Sequence, residues 1–169
     1  MGFYAPRVVL GDARRHGVRV LPVHLNKSQE KCTIERGAVR LGFWYVNELG
    51  EATIARILDA RENGEYRNLE DLSSRTRLPR RAIENLILAG SMDEWSQDRR
   101  RLIWELGRLR YHPDELPLPL GTDTIDLEPM TYAERLTWEY GVMGLSTSGH
   151  VMELFREEMN NLEDITSHR

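Results

Sequence analysis

The sequence predicts a mainly α fold with a small N-terminal β element, and three observations carry that prediction. Short alternating or β-branched segments are confined to the first 41 residues: Val18-Arg19-Val20-Leu21-Pro22-Val23, Cys32-Thr33-Ile34 and Ala38-Val39-Arg40-Leu41. Beyond residue 50, aliphatic residues recur at steps of three or four, the period of a half-buried helix. Between the two regions stands Val46-Asn47-Glu48-Leu49-Gly50-Glu51-Ala52-Thr53-Ile54-Ala55-Arg56-Ile57-Leu58. This run reads as an apolar residue, a tight turn containing glycine, and then a helix.

Each element follows in order. Pro6 suits a first helical turn, and the helix it opens stops at Gly17. The segment 18–23 reads as a strand, placed at a sheet edge because Pro22 has no N–H to donate. Cys32-Thr33-Ile34 and Ala38-Val39-Arg40-Leu41 flank a Glu35-Arg36-Gly37 turn and read as a short hairpin. A helix is expected over 51–62, with Ala52, Ala55, Ile57, Leu58 and Arg61 on one face, stopped by Asn63-Gly64. A short helix over 69–75, a turn at Thr76-Arg77-Leu78-Pro79 and a helix over 80–89 form a second unit. Ile83, Leu86 and Ile87 point inward there, and Gly90 is the cap. The two units together read as a tandem helix-hairpin-helix. A charged helix over 96–110 buries Leu102, Ile103, Leu106 and Leu109. Four prolines and several acids make 111–129 a linker. Thr131-Tyr132-Ala133-Glu134 is a capping box opening a helix that Met143-Gly144 closes, and a last helix is expected over 151–159.

Composition narrows the function. With 40% apolar and 30% charged residues in 169, the chain reads as a soluble domain, alone or with a tail. No apolar run approaches the roughly 18 residues of a membrane span, and no signal peptide opens the sequence. Cys32 is the single cysteine, which leaves no intrachain disulfide or thiolate zinc site and points to the cytoplasm. The net charge of −4 is unevenly spread. Residues 75–110 carry 9 arginines against 5 acids, whereas residues 111–169 carry 3 against 12. The middle is suited to phosphate and the end repels it, although arginine-rich helices are also simply well solvated. The five histidines show no metal spacing, and neither a nucleotide-binding glycine loop nor a Ser/His/Asp arrangement is present, so no catalytic or metal-binding residue is assigned.

The first turn has a specific chemistry. A helix N-terminus leaves unpaired N–H groups and a partial positive charge, and glycine lets a phosphate approach the backbone. Asn47, Leu49, Gly50 and Glu51 are therefore candidate DNA-binding positions, with Arg56 and Arg61 further along the helix. In the second unit, Arg77, Arg80 and Arg81 bracket Pro79 at a helix start, where guanidinium groups can clamp phosphate. The competing reading is an αα-hairpin that only holds a core, with Glu48 and Glu51 repelling phosphate. Phe43, Trp44 and Tyr45 precede the turn and are suited either to stacking on bases or to packing. Trp95 and Trp104 read as core anchors.

The chain resembles a segment of bacterial C-family DNA polymerases, the class of the DNA polymerase III alpha subunit, and specifically their error-prone branch. The resemblance is carried in order by Met1-Gly2-Phe3-Tyr4-Ala5-Pro6, Asp12-Ala13-Arg14-Arg15-His16-Gly17-Val18, Leu21-Pro22-Val23, Asn26-Lys27-Ser28 and Val39-Arg40-Leu41-Gly42. It continues through Arg80-Arg81-Ala82-Ile83-Glu84-Asn85-Leu86, Ala89-Gly90-Ser91-Met92-Asp93, Pro129-Met130-Thr131, Glu134-Arg135, Gly144-Leu145-Ser146 and His150. It implies an internal segment of a much longer polymerase. Residues 1–40 would be the end of the fingers, 41–110 the tandem helix-hairpin-helix, 111–130 a linker and 131–169 a helical lead toward an OB domain. The parent would be a magnesium-dependent nucleotidyltransferase acting in DNA replication and repair. This segment resembles no part of the metal-binding palm, so no cofactor is expected for it.

Its expected partner is duplex primer–template, bound without regard to sequence, beside other polymerase domains and replication or mutagenesis proteins. The alternative is a structural spacer or protein-interaction module with little DNA affinity. Three positions depart from the family pattern. Glu48 stands where the first of two turn glycines is usual, His24 stands for an aspartate, and Val151 for a proline.

Overall fold

The computed structural model describes residues 6–96, 98–109, 127–150 and 152–153. Helix α1 spans Pro6–Arg15. It stops where Gly17 and Val18 donate back to the carbonyls of Arg14 (3.0 Å) and Ala13 (2.9 Å), which satisfies end carbonyls that would otherwise lack partners. Strands β1 (Val20–Leu21), β2 (Thr33–Glu35) and β3 (Ala38–Arg40) follow. β3 is central, parallel to β1 and antiparallel to β2, with Ile34 opposite Val39. Arg36 and Gly37 have φ of 49° and 77°, so their two-residue turn has the twist a hairpin favours. β1 lies at the edge, as Pro22 requires. It is shorter than the alternation over 18–23 predicts, because the chain leaves the sheet at Pro22 and buries Val23 completely.

The helical part begins after a 3-10 turn at Phe43–Tyr45. Helices α2 (Glu51–Arg61), α3 (Leu69–Thr76), α4 (Arg80–Leu88), α5 (Arg99–Arg108) and α6 (Tyr132–Met143) complete the order among the described residues. The capping box of α6 forms as the sequence predicts: Glu134 N–H donates to the Thr131 hydroxyl (3.2 Å), and Thr131 N–H donates to the Glu134 carboxylate (2.9 Å).

Two expectations need correction. On α2, Ile54 and Ile57 are buried, with Leu58 and Arg61 beside them, while Ala52 and Ala55 face outward. Burying an isoleucine removes more apolar surface from water than burying an alanine, so the larger residues set the inward face. α5 begins at Arg99 rather than Ser96, because the Asp98 carboxylate accepts from Arg100 N–H (3.1 Å) and fixes the start. Within it Leu102 and Leu106 are buried, whereas Ile103 and Leu109 are only half-buried. Most of the linker over 111–129 and of the helix expected over 151–159 lies outside the described residues.

One apolar cluster joins these elements. It runs from Val23 and Leu25 through Phe43, Ile54, Ile57, Tyr66, Leu72, Ile83, Leu86 and Ile87 to Leu102, Leu106, Val142, Met143 and Leu145. Tyr66 is almost fully buried and satisfies its hydroxyl by donating to the Ile57 carbonyl at 2.7 Å.

Candidate nucleic-acid interface

The first turn is clamped from behind. Asn47 N–H donates to the Val142 carbonyl (2.7 Å) and its side-chain amide donates to the Gly141 carbonyl (3.2 Å). Its own carbonyl accepts from the Asn85 amide (2.9 Å). Asn47 is thus held by both α4 and α6, with its amides turned to the protein. Val46 and Leu49 anchor the turn in the core. Between them Glu48 takes φ of 63°, the left-handed conformation that glycine adopts without cost. The departure from the glycine pattern therefore leaves the backbone path available. Gly50 is the N-cap of α2 and offers no side-chain cap, and a carbon built on it meets nothing within 4 Å. Thr53 N–H already donates to the Gly50 carbonyl (2.9 Å), and the space beside Gly50 is open.

The second unit repeats the plan with different residues. Arg77 ends α3 with φ of 49° and ψ of 41°, Leu78 is buried, and Pro79 is the N-cap of α4. Pro79 also lacks a side-chain cap, whereas Asn68, Asp98 and Thr131 cap α3, α5 and α6 by accepting from backbone N–H groups. Among the described residues, of the helices from α2 onward only the two that follow hairpin turns lack a side-chain N-cap. The same two ends are brought together, because Arg81 Nε in the first turn of α4 lies 3.3 Å from the Glu48 carboxylate.

The arginines divide sharply. Arg61, expected to add charge on α2, instead donates to the carbonyls of Leu25 (3.1 Å) and Ser28 (2.7 Å). Arg75 donates to the carbonyls of Ala60 and Gly64, pairs with Asp71 and lies 4.5 Å over the Tyr66 ring. Arg100 pairs with Glu134, and Arg101 with Glu105. Arg56, Arg77 and Arg80 are exposed and, among the described residues, have no carboxylate partner. Arg56 and Arg77 share an open cleft of about 530 Å³ between α2 and the end of α3. Phe43 is fully buried and packs in the core, while Trp44 is 59% exposed and donates its ring N–H to Glu30 (2.8 Å). Trp95 packs partly buried against the core, and Trp104 lies half-buried under the Arg108 guanidinium at 4.6 Å.

A buried ionic network behind the interface escaped the sequence reading. Glu139 is fully buried and accepts from Arg99 Nη2 (2.9 Å) and from the hydroxyls of Ser146 and Ser148. Arg99 also holds Asp93 (2.7 Å) and the Leu88 carbonyl (3.0 Å). Burial pushes the Glu139 carboxyl up, but the two serine hydroxyls and Arg99 outweigh it and leave the group below its ordinary range. The network joins the end of α4, α5, α6 and the loop after α6. The available signal was Glu139 itself, a charge at apolar spacing between Leu136 and Val142.

Residues 17–102 match the helix-hairpin-helix motif family. The chain belongs to that family. Its helix-hairpin-helix region covers the sheet, both turns and the start of α5, with the two uncapped helix ends inside it. Comparison with known proteins extends the likeness further. The chain is 34% identical over 174 residues to an error-prone DNA polymerase of Rhodopirellula baltica, a match covering 96% of this chain and 15% of that protein. It is 35% identical to an error-prone DNA polymerase of Rhodopseudomonas palustris, covering 92% of this chain and 16% of the other. It is 37% identical to error-prone DNA polymerase 2 of Agrobacterium fabrum, covering 90% and 14%. This helix-hairpin-helix chain therefore resembles error-prone polymerases along nearly all of its length and spans about one-seventh of theirs.

Proposed function

We propose that this chain is the DNA-gripping segment of an error-prone DNA polymerase and holds duplex primer–template through its backbone without reading bases. The observation that carries the reading is the selective lack of caps on α2 and α4, at two ends joined by Glu48 and Arg81. Orphan N–H groups at a helix start favour an anion, and phosphate is the anion that a duplex repeats along both strands. Gly50 and Glu51 would offer backbone N–H groups, with Leu49 and Asn47 fixing the turn. Arg56, Arg77 and Arg80 would add cationic contacts around them.

Polymerisation would belong to the rest of the parent protein. Among the described residues no three His, Cys, Asp or Glu side chains converge as metal ligands. They do not fit the magnesium site of a polymerase, and no step of nucleotide transfer is placed on them.

The test is fluorescence anisotropy of a labelled primer–template duplex at low and moderate salt, with single-stranded DNA alongside. Duplex affinity should fall steeply with salt, by a log–log slope of roughly 0.9 per phosphate contacted. Replacing Arg77, Arg80 and Arg81 together by alanine should weaken binding and flatten that slope, and an unchanged slope would remove them from the interface. The presence of Glu48 and Glu51 at the first turn favours a second reading, a spacer or protein-docking module. Absence of duplex binding at low salt, by the unaltered chain and by Glu48→Gln alike, would select it.

A further inference from the structure

We infer that Glu48 is a built-in competitor of DNA phosphate, holding Arg81 and limiting the grip of the paired hairpins. The inference rests on the DNA-binding reading above and adds a regulator to that site.

Arg81 stands apart from the other arginines proposed for the interface. Arg77 and Arg80 lie within four residues of it and have no carboxylate partner among the described residues. Arg81 sits between two, with Nε 3.3 Å from Glu48 and Nη1 3.5 Å from Glu84. The contact with Glu84 is local, three residues along the same helix. The contact with Glu48 spans 33 residues and is made from a turn residue in the left-handed conformation.

The carboxylate thus meets a guanidinium in the first turn of an uncapped helix, where the same pair of features would receive a phosphate oxygen. Glu48 and Arg81 are both well exposed, 57% and 64% at the side chain, so water and DNA can reach the pair. An exposed pair of this kind is weak and exchanges readily. A phosphate can therefore displace Glu48 from Arg81, but only by giving up that contact and bringing a second negative charge beside the freed carboxylate. The device lowers affinity without blocking the surface. It suits a clamp that must slide and release, since a competitor carried on the turn is always at the same effective concentration.

The test compares Glu48→Gln with the unaltered chain for binding to a labelled primer–template duplex, and repeats the comparison in an Arg81→Ala background. Thermal melts confirm that each variant is folded. Glutamine keeps the side-chain size and the backbone conformation while removing the charge. Glu48→Gln should raise duplex affinity about three- to tenfold at low salt and steepen the salt slope by about 0.9, the increment of one added phosphate contact. In the Arg81→Ala background the gain should shrink to about twofold or less, the part due to simple repulsion.

An equal gain in both backgrounds would overturn the inference, because Glu48 would then act on DNA without Arg81. So would an unchanged affinity in a chain that does bind duplex. Duplex binding that emerges only in Glu48→Gln would support it. Absence of binding by the unaltered chain and by Glu48→Gln alike would instead bring down the DNA-binding reading, and the competitor with it.

Discussion

The Glu48 carboxylate lies 3.3 Å from Arg81 Nε and ties the turn before α2 to the first turn of α4. Glu48 makes this contact from a backbone conformation with φ of 63°. For a residue with a Cβ that conformation costs roughly 1–2 kcal/mol. Glu48→Gly relieves the cost, loses an exposed ion pair and adds chain entropy to the unfolded state, so stability should change by no more than about 1 kcal/mol. Glu48→Val should lose about 2 kcal/mol, because a β-branched residue resists positive φ most strongly. Urea unfolding of the two variants measures the contrast, and equal losses would show that the turn is not held in this conformation.

Gly50 separates stability from binding. Its surroundings leave room for a side chain, and its φ of −69° is open to any residue. Gly50→Ser should supply the cap that α2 lacks and keep or raise stability by a few tenths of a kcal/mol. Its hydroxyl would accept from the Ala52 or Thr53 N–H, and the new side chain would crowd the backbone that a phosphate must approach. Duplex affinity should fall several-fold in anisotropy while the melting temperature holds.

Arg75 and Arg77 are two residues apart and should behave in opposite ways. Arg75 serves the Ala60 and Gly64 carbonyls, Asp71 and the Tyr66 ring, so Arg75→Ala should cost about 2 kcal/mol of stability and leave the salt slope unchanged. Arg77→Ala should change stability by less than about 0.5 kcal/mol and reduce the slope. Denaturation and salt-dependent anisotropy on the same two proteins decide the matter.

The network around Arg99 is a stability prediction. Arg99→Met would strand Glu139, fully buried, without its cation, and should cost about 3–5 kcal/mol. Gly90→Ala should also destabilise by more than about 2 kcal/mol. Its φ of 78° disfavours a side chain, and the added carbon would lie 2.3 Å from Arg99 Nη2. Chemical denaturation checks both, and a mild effect of either would place the network outside the folded core.

Acid should destabilise the protein in two stages. Burial, with Lys27 nearby, lowers the His24 imidazole from its ordinary 6.5 despite its 2.7 Å contact with Glu94. Asn26 N–H donates to Nδ1 (3.1 Å), a contact that requires the neutral ring. A histidine lowered in the folded state binds protons more readily when unfolded, so its contribution is present above pH 6.5 and declines as pH falls through the folded value. Glu139, lowered from 4.5, follows the same sign on the acid side and begins to lose its contribution only below pH 4.5. Melting temperature should therefore begin to decline below pH 6.5, before the second decline that starts below pH 4.5. His24→Gln should remove that first decline and leave the second.

Much of the fold was legible along the chain because its signals are local. The Thr131–Glu134 box, the Arg36-Gly37 turn, the stop at Gly144 and the starts of α2 and α4 each depend on residues within about four positions. Gly50 and the Pro79 turn were visible for the same reason. The state of each arginine was not legible. Residues 75–110 carry nine of them as a uniform basic stretch, yet Arg75 and Arg99 are bound into the fold while Arg77 and Arg80 have no carboxylate partner among the described residues. A guanidinium reaches whatever acceptor packing brings within about 3 Å. For Arg99 that is Glu139, 40 residues away, and for Arg81 it is Glu48, 33 residues away. Neighbours in sequence set the turns and helix ends of this protein. Long-range packing chose which charges face inward and which face solvent, because Coulomb and hydrogen-bond energies depend on distance in space and not on separation along the chain.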